Sequence, residues 1–150
     1  MAQSPPKLTG DVHVREDREE LFDDLAQVLM AAAHRAVEER GAFHLALSGG
    51  STPERFYMRL VIDPRFREIP WRDTHVWLVD ERRVPLDDEL SNFRMIRESL
   101  IDHVPLRRRQ IHPMPVSDDN PAAAYERELR DVFEQPRDVP QLDFVLLGMG

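Results

Sequence analysis

Cysteine is absent from the 150 residues, which excludes thiolate catalysis, disulfides, iron–sulfur clusters and cysteine-ligated zinc together. Lysine is almost absent: Lys7 stands alone, and arginine supplies the other 19 of the 20 basic side chains. That removes Schiff-base chemistry from the body of the chain and favours planar, two-pronged contacts to anions. No apolar run approaches the length of a membrane span, and the Met1–Lys7 segment lacks the apolar centre of a signal peptide. The cytoplasm is therefore the default location and no membrane partner is expected. With a formal net charge of −8 the chain has no general basic face, so nucleic acid is excluded as a partner. A small anion is not excluded, because the local field at a site outweighs the net charge. The six histidines, at 13, 34, 44, 75, 103 and 112, show no metal-ligand spacing with one another, so neither a metal nor a cofactor is expected.

What is present is the composition of a soluble globular domain, 41% hydrophobic and 32% charged with both signs interspersed. Residues 1–10, with Pro5, Pro6 and Gly10, read as a flexible lead-in, and residues 11–150 read as part of one domain. Val12-His13-Val14 has the alternation of a short edge strand. Leu21, Leu25, Val28, Leu29, Ala32, Ala33 and Ala36 recur at helical spacing, with Gly41 as the stop. An apolar strand over 43–47 leads to a glycine turn and a helix from about Pro53 to Ile62. A second strand, 76–79, is followed by a helix capped by Ser91 or Asn92, with Phe93, Ile96 and Leu100 inside. Asn120-Pro121 opens another helix with Tyr125, Leu129, Val132 and Phe133 inward, and a third strand covers 142–147. Strands alternating with helical patterns predict a doubly wound, mostly parallel sheet with helices on both faces. A parallel strand that ends in a glycine turn should continue into a helix. The domain is thus expected to be incomplete at its carboxyl end, and to need a further segment or a second chain to cover apolar surface.

Ligands in such sheets gather beyond the carboxyl ends of the strands, and three polar clusters fall there: Ser48 to Thr52, Asp80 to Arg83, and Gly148 to Gly150. The Ser48-Gly49-Gly50-Ser51-Thr52-Pro53 turn has two readings. It is either an anion cradle made of backbone N–H groups at a helix start, or an ordinary turn in which Ser51 or Thr52 caps the helix and Pro53 fixes its first turn. Asp80-Glu81-Arg82 forms either a surface ion-pair cluster or, in a functional reading, an acid–base or orienting group at Asp80 with Arg82 as an anion clamp. Asp87-Asp88-Glu89 lacks the spacing of a calcium loop and reads as a solvated turn. Trp71 and Trp77 read as core aromatics, Arg107-Arg108-Arg109 as a solvated run, and His44 as a packed strand residue rather than a base.

Taken in order, Leu45 to Pro53, Trp77 to Pro85, Ser91-Asn92-Phe93 and Asp143 to Gly150 resemble the glucosamine-6-phosphate isomerase/6-phosphogluconolactonase family, on its 6-phosphogluconolactonase side. The resemblance implies a doubly wound sheet and hydrolysis of 6-phosphoglucono-1,5-lactone, a phosphorylated sugar lactone of the pentose phosphate pathway. Residues 11–150 would be the N-terminal portion of a single α/β lactonase domain. Carried onto this chain, it implies that Ser48, Gly49, Gly50, Ser51 and Thr52 contact the substrate, chiefly its phosphate. Asp80 and Arg82 would face the same pocket, with Asn92 as a supporting polar group. It further implies metal-free catalysis by a histidine in an aspartate–glycine–histidine segment after the last glycine turn. That segment is not in these 150 residues, so the chain by itself is expected to be inactive. A glucosamine-6-phosphate deaminase or aldose–ketose isomerase relative, and a non-catalytic sugar-phosphate-binding module, are the alternatives. Arg82 and Ser91-Asn92-Phe93 favour the lactonase.

Overall fold

The computed structural model describes residues 10–134 and 139–148. Four helices and four strands carry the fold: α1 (Arg18–Arg40), β1 (Phe43–Leu47), α2 (Ser51–Ile62), β2 (Thr74–Leu78), α3 (Asn92–Ser99), β3 (Ile111–His112), α4 (Pro121–Val132) and β4 (Phe144–Val145). All strand pairs are parallel and the order is β3-β2-β1-β4. The chain winds outward from β1 through β2 to β3, then returns to the other side of β1 as β4. The β1/β4 boundary is therefore the point where strand order reverses, the position at which an open α/β sheet leaves a crevice.

One face of the sheet holds the core. Phe43, Leu45 and Leu47 of β1 and Val76 and Leu78 of β2 pack against Phe22, Ala26, Leu29, Ala33 and Ala36 of α1, Phe56 and Leu60 of α2, and Ile96 of α3. Each large aliphatic side chain buried in this way contributes roughly 1.5–3 kcal/mol. Asp17 caps α1 by accepting the Glu19 N–H at 2.8 Å, and Gly41, at φ 78°, closes it in a left-handed turn that disfavours other residues. The inward face of α1 is turned from the expected one. Leu21 and Val28 are 40% and 58% exposed, whereas Phe22 and Ala26 are buried, because a line of alanines lets the helix lie close to β1.

The opposite face carries His44, Ala46, His75, Trp77 and His112, and α4 covers part of it through Tyr125 and, at its end, Phe133. The Tyr125 hydroxyl accepts the Leu78 N–H at 2.8 Å and donates to the His112 carbonyl at 3.0 Å, pinning α4 across β2 and β3. Tyr125, Leu129, Val132 and Phe133 are only half-buried. Helices thus lie on both faces, as the alternation of elements predicts.

Three strand assignments from sequence differ. Val12-His13-Val14 is irregular, with Val12 57% and Val14 78% exposed, since no strand pairs with it among the described residues. The strand expected over 142–147 is reduced to Phe144–Val145, although the Asp143 and Leu146 N–H groups extend the ladder onto His44 and Ala46 carbonyls at 2.9 Å each. β3 went unpredicted. It is held by the buried Gln110 amide, which donates to the carbonyls of Trp71, Arg72 and Thr74 at 3.1, 3.0 and 2.6 Å.

Candidate functional site

α2 begins differently from the expectation. Its cap is Gly50, at φ 117° and ψ 161°, with no side-chain hydrogen bond, and the helix starts at Ser51 rather than near Pro53. Neither Ser51 nor Thr52 is the cap, because glycine alone adopts that backbone angle without strain. Position in the first turn denies the Ser51 and Thr52 N–H groups an intrahelical acceptor, and Pro53 has no N–H to offer. The helix start is therefore open and carries the positive end of the dipole. Ser48, beneath it, is buried. Its carbonyl accepts the Tyr57 hydroxyl at 2.7 Å, while its Oγ has no partner among the described residues. Burial, opposed by the bond to Ser48 and aided by the Asp80 carboxylate, pushes the Tyr57 hydroxyl well above its ordinary range. Asp80 itself is exposed, within electrostatic reach of the turn.

The strand-end segment 79–82 lies beside this turn. The Val79 N–H donates to the Leu47 carbonyl at 3.0 Å, continuing the β1–β2 ladder. Arg82 is exposed, and its Nη1 donates to the Leu90 carbonyl at 2.9 Å and to Asn92 Oδ1 at 2.5 Å. Its Nε and Nη2 edge has no partner among the described residues, the geometry a guanidinium needs for a forked contact to phosphate or carboxylate. Asn92 is buried and also donates from Nδ2 to the Asp80 carbonyl at 3.0 Å. A Cβ on Gly49 would stand 1.9 Å from Asn92 Oδ1, so only glycine lets the turn and α3 come this close. Ser48 to Thr52, Asp80, Arg82 and Asn92 thus come together at one edge. Gly148 follows β4 on the other side of β1, and Met149 and Gly150 lie outside the described residues.

α3 has the opposite kind of start. Ser91 is its cap, its Oγ accepting the Arg94 N–H at 3.2 Å. Glu81, which the sequence places only in a charged cluster with Asp80 and Arg82, lies across the same helix end. Its Oε1 accepts the N–H groups of Arg82 and Asn92 at 2.8 and 2.7 Å, and its Oε2 accepts the Ser91 hydroxyl and the Phe93 N–H at 3.0 and 2.8 Å. No capping-box spacing signals this, because the carboxylate comes from the preceding strand end, more than ten residues upstream.

The remaining polar groups lie elsewhere. Asp88 accepts the Leu90 N–H at 2.8 Å and Asp87 offers its carbonyl to Arg94 at 3.0 Å, so the acidic run folds as a turn. Among the described residues no group of three or more histidine or acidic side chains is placed to hold a metal ion. His44, His75 and His112 form a ladder across three strands. His75 Nδ1 and His112 Nε2 are 2.9 Å apart, His112 Nδ1 meets Glu128 at 2.6 Å, and Trp77 donates to His44 Nδ1 at 3.1 Å. The Trp77 ring stacks on His112 with centroids 3.8 Å apart. Burial, reinforced by neighbouring imidazoles, brings His44 and His75 down to about 4, and burial lowers His112 against the pull of Glu128. These rings are packing groups on the sheet face, with His44 and His75 held neutral near pH 7 by burial. A cavity of about 960 Å³ opens beside them, lined by Arg40, His44, Phe133 and Asp143, but it lies toward the amino ends of β1 and β4, away from the glycine turn. Another, of about 470 Å³, borders Glu81 and Arg83 and is otherwise walled largely by apolar residues such as Met114, Val116 and Leu129.

The fold is a parallel, doubly wound α/β domain whose carboxyl edge brings an open helix start after β1 together with a partly unpaired arginine after β2. The family described as glucosamine-6-phosphate isomerases/6-phosphogluconolactonase matches residues 16–150, and the chain belongs to it. The GDH/6PGL endoplasmic bifunctional protein of Homo sapiens is 43% identical over 140 residues, a match covering 88% of this chain and 17% of that protein. A 6-phosphogluconolactonase of Nostoc sp. is 37% identical over 143 residues, 93% of this chain and 58% of its own length. The crystal structure of 6-phosphogluconolactonase from Thermotoga maritima superposes with a TM-score of 0.72 at 31% identity, covering 86% of this chain and 56% of that one. The chain therefore spans less than two thirds of each of these relatives. Among the described residues no helix is long and apolar enough to cross a membrane.

Proposed function

We propose that the protein hydrolyses 6-phosphoglucono-1,5-lactone to 6-phosphogluconate, and that this chain supplies the phosphate-holding part of the site. The observation that carries the reading is the uncapped start of α2 facing the same edge as the open side of Arg82. In this reading the Ser51 and Thr52 N–H groups and Arg82 take the phosphate. Gly49 and Gly50 shape the turn, Ser48 supports it from below, Asn92 orients Arg82, and Asp80 assists at the lactone end. Water attacks the lactone carbonyl with a histidine as base and the ring oxygen leaves. That base is none of the histidines described here. His44, His75 and His112 sit on the sheet face, His13 lies in the irregular segment before α1, His34 is on α1, and His103 is bonded through Nε2 to the Glu98 carbonyl at 2.9 Å. The 150-residue chain alone is accordingly expected to bind sugar phosphate without catalysing hydrolysis, and a further segment or second chain to complete the sheet. The cytoplasm remains the proposed compartment, consistent with a chain without cysteine.

The named relatives that are lactonases, and the resemblance of Arg82 and Ser91-Asn92-Phe93 to the lactonase side of the family, favour hydrolysis over a deaminase or isomerase reaction at carbon. The test is a side-by-side assay of the full-length protein for lactone hydrolysis and glucosamine-6-phosphate deamination, with 6-phosphogluconate binding measured in parallel. Hydrolysis alone upholds the reading. Deamination would replace it with the isomerase reading, and binding without turnover would leave a sugar-phosphate module.

A further inference from the structure

Of the helix starts at the carboxyl edge of this sheet, those of α2 and α3 adjoin the glycine turn, and of these two only the first is open to a ligand. The start of α3 is occupied by the Glu81 carboxylate, which takes the Asn92 and Phe93 N–H groups and the Ser91 hydroxyl while also accepting the N–H of Arg82. With the Arg94 N–H taken by Ser91 Oγ, the first three N–H groups of α3 are all spent, and a carboxylate stands where an anion would have to sit. The same four bonds tie the backbone of Arg82 to that of Asn92. Asn92 Oδ1 in turn holds Arg82 Nη1 and leaves room for Gly49 only because Gly49 has no side chain. The chain of contacts runs from Glu81 through α3 and Asn92 to both halves of the anion site.

We infer that Glu81 is a positioning residue that aims the free edge of Arg82 at the α2 start and keeps the substrate phosphate off α3. This rests on the phosphate-holding role proposed for Arg82 and the α2 turn. Glutamate suits the task because both carboxylate oxygens accept, and four donors converge on them. In Glu81→Gln the shape is kept, but one pair of those donors must face an NH₂ group, whichever way the amide is turned.

The experiment is a double-mutant cycle in the full-length protein with Glu81→Gln, Arg82→Ala and the pair, read by hydrolysis kinetics on 6-phosphoglucono-1,5-lactone and by 6-phosphogluconate affinity. Phosphate is remote from the reacting carbonyl, so Glu81→Gln should raise KM by about tenfold and change kcat little. Because Glu81 reaches the site largely through Arg82, adding Glu81→Gln to Arg82→Ala should cost much less than it costs the wild-type protein. Asp17→Ala serves as the structural control: it removes the side-chain cap of α1, which takes no part in the Glu81–Asn92–Arg82 contacts, and should lower thermal stability without moving KM. Additive losses, or a Glu81→Gln effect confined to kcat or to thermal stability, would overturn the positioning role while leaving the proposed function intact. A wild-type protein that neither hydrolyses the lactone nor binds 6-phosphogluconate would remove that function, and the inference with it.

Discussion

α2 and α3 start at the same edge of the same sheet, yet the first is left open behind a glycine and the second is closed by a serine hydroxyl and a carboxylate. Both helices carry the same dipole and the same orphan N–H groups, so geometry alone gives them equal claim on an anion. The difference lies in what already fills those groups. The proposed anion site is a helix start left without a side-chain cap, with a guanidinium held beside it by one nitrogen and, among the described residues, without a partner on its other side.

The comparison is broken most directly at Arg82. In the full-length protein Arg82→Ala is expected to lose roughly 2–4 kcal/mol of transition-state stabilisation, as removal of a charged substrate contact does. Unchanged kcat/KM would dissociate the arginine from the open helix start. A second break is Gly49→Ala, whose new Cβ would collide with Asn92 Oδ1. We expect a stability loss of about 1–3 kcal/mol by denaturant unfolding, together with weaker sugar-phosphate binding.

Acid sharpens the comparison by sparing it. His44 and His75 have folded-state values depressed to about 4, so the unfolded chain takes up their protons first. Their stabilising contribution is complete above about pH 6.5 and is lost as pH falls toward 4. The melting temperature should therefore drop between pH 7 and 5, while sulfate affinity of the still-folded chain stays constant, since neither ring touches the α2 turn. A flat melting temperature would mean the ladder is not buried as described. The smallest effect is expected of Ser91→Ala, about 1 kcal/mol of stability from the lost cap, measured by thermal unfolding. A gain of anion binding at α3 in that variant would show that Glu81 does not fill the helix start.

Much of this was legible in the chain because it is written locally. The apolar runs of β1 and β2, the Ser91 and Asn120 caps and the glycine turn after β1 each show in a few consecutive residues. Gathering the polar clusters at one edge followed from parallel topology. What was hidden depends on contacts distant in sequence. β3 is two residues long and owes its place to Gln110 reaching the 71–74 carbonyls. The histidine ladder needs strand register, which pairs His44 with His75 and Trp77 with His112. The choice between cradle and cap at Ser51 and Thr52 depended on the backbone angle of Gly50, which no side-chain pattern encodes. The sequence places Glu81 in the charged cluster with Asp80 and Arg82, but its seat on the start of α3 is not legible there, because its partners lie beyond an intervening turn.

A crystal structure of the full-length protein with 6-phosphogluconate bound tests the central claim most directly. The account predicts phosphate oxygens within hydrogen-bond distance of the Ser51 and Thr52 N–H groups and of Arg82 Nε or Nη2, with Glu81 still seated on α3. A phosphate resting at the start of α3, or out of reach of Arg82, would contradict it.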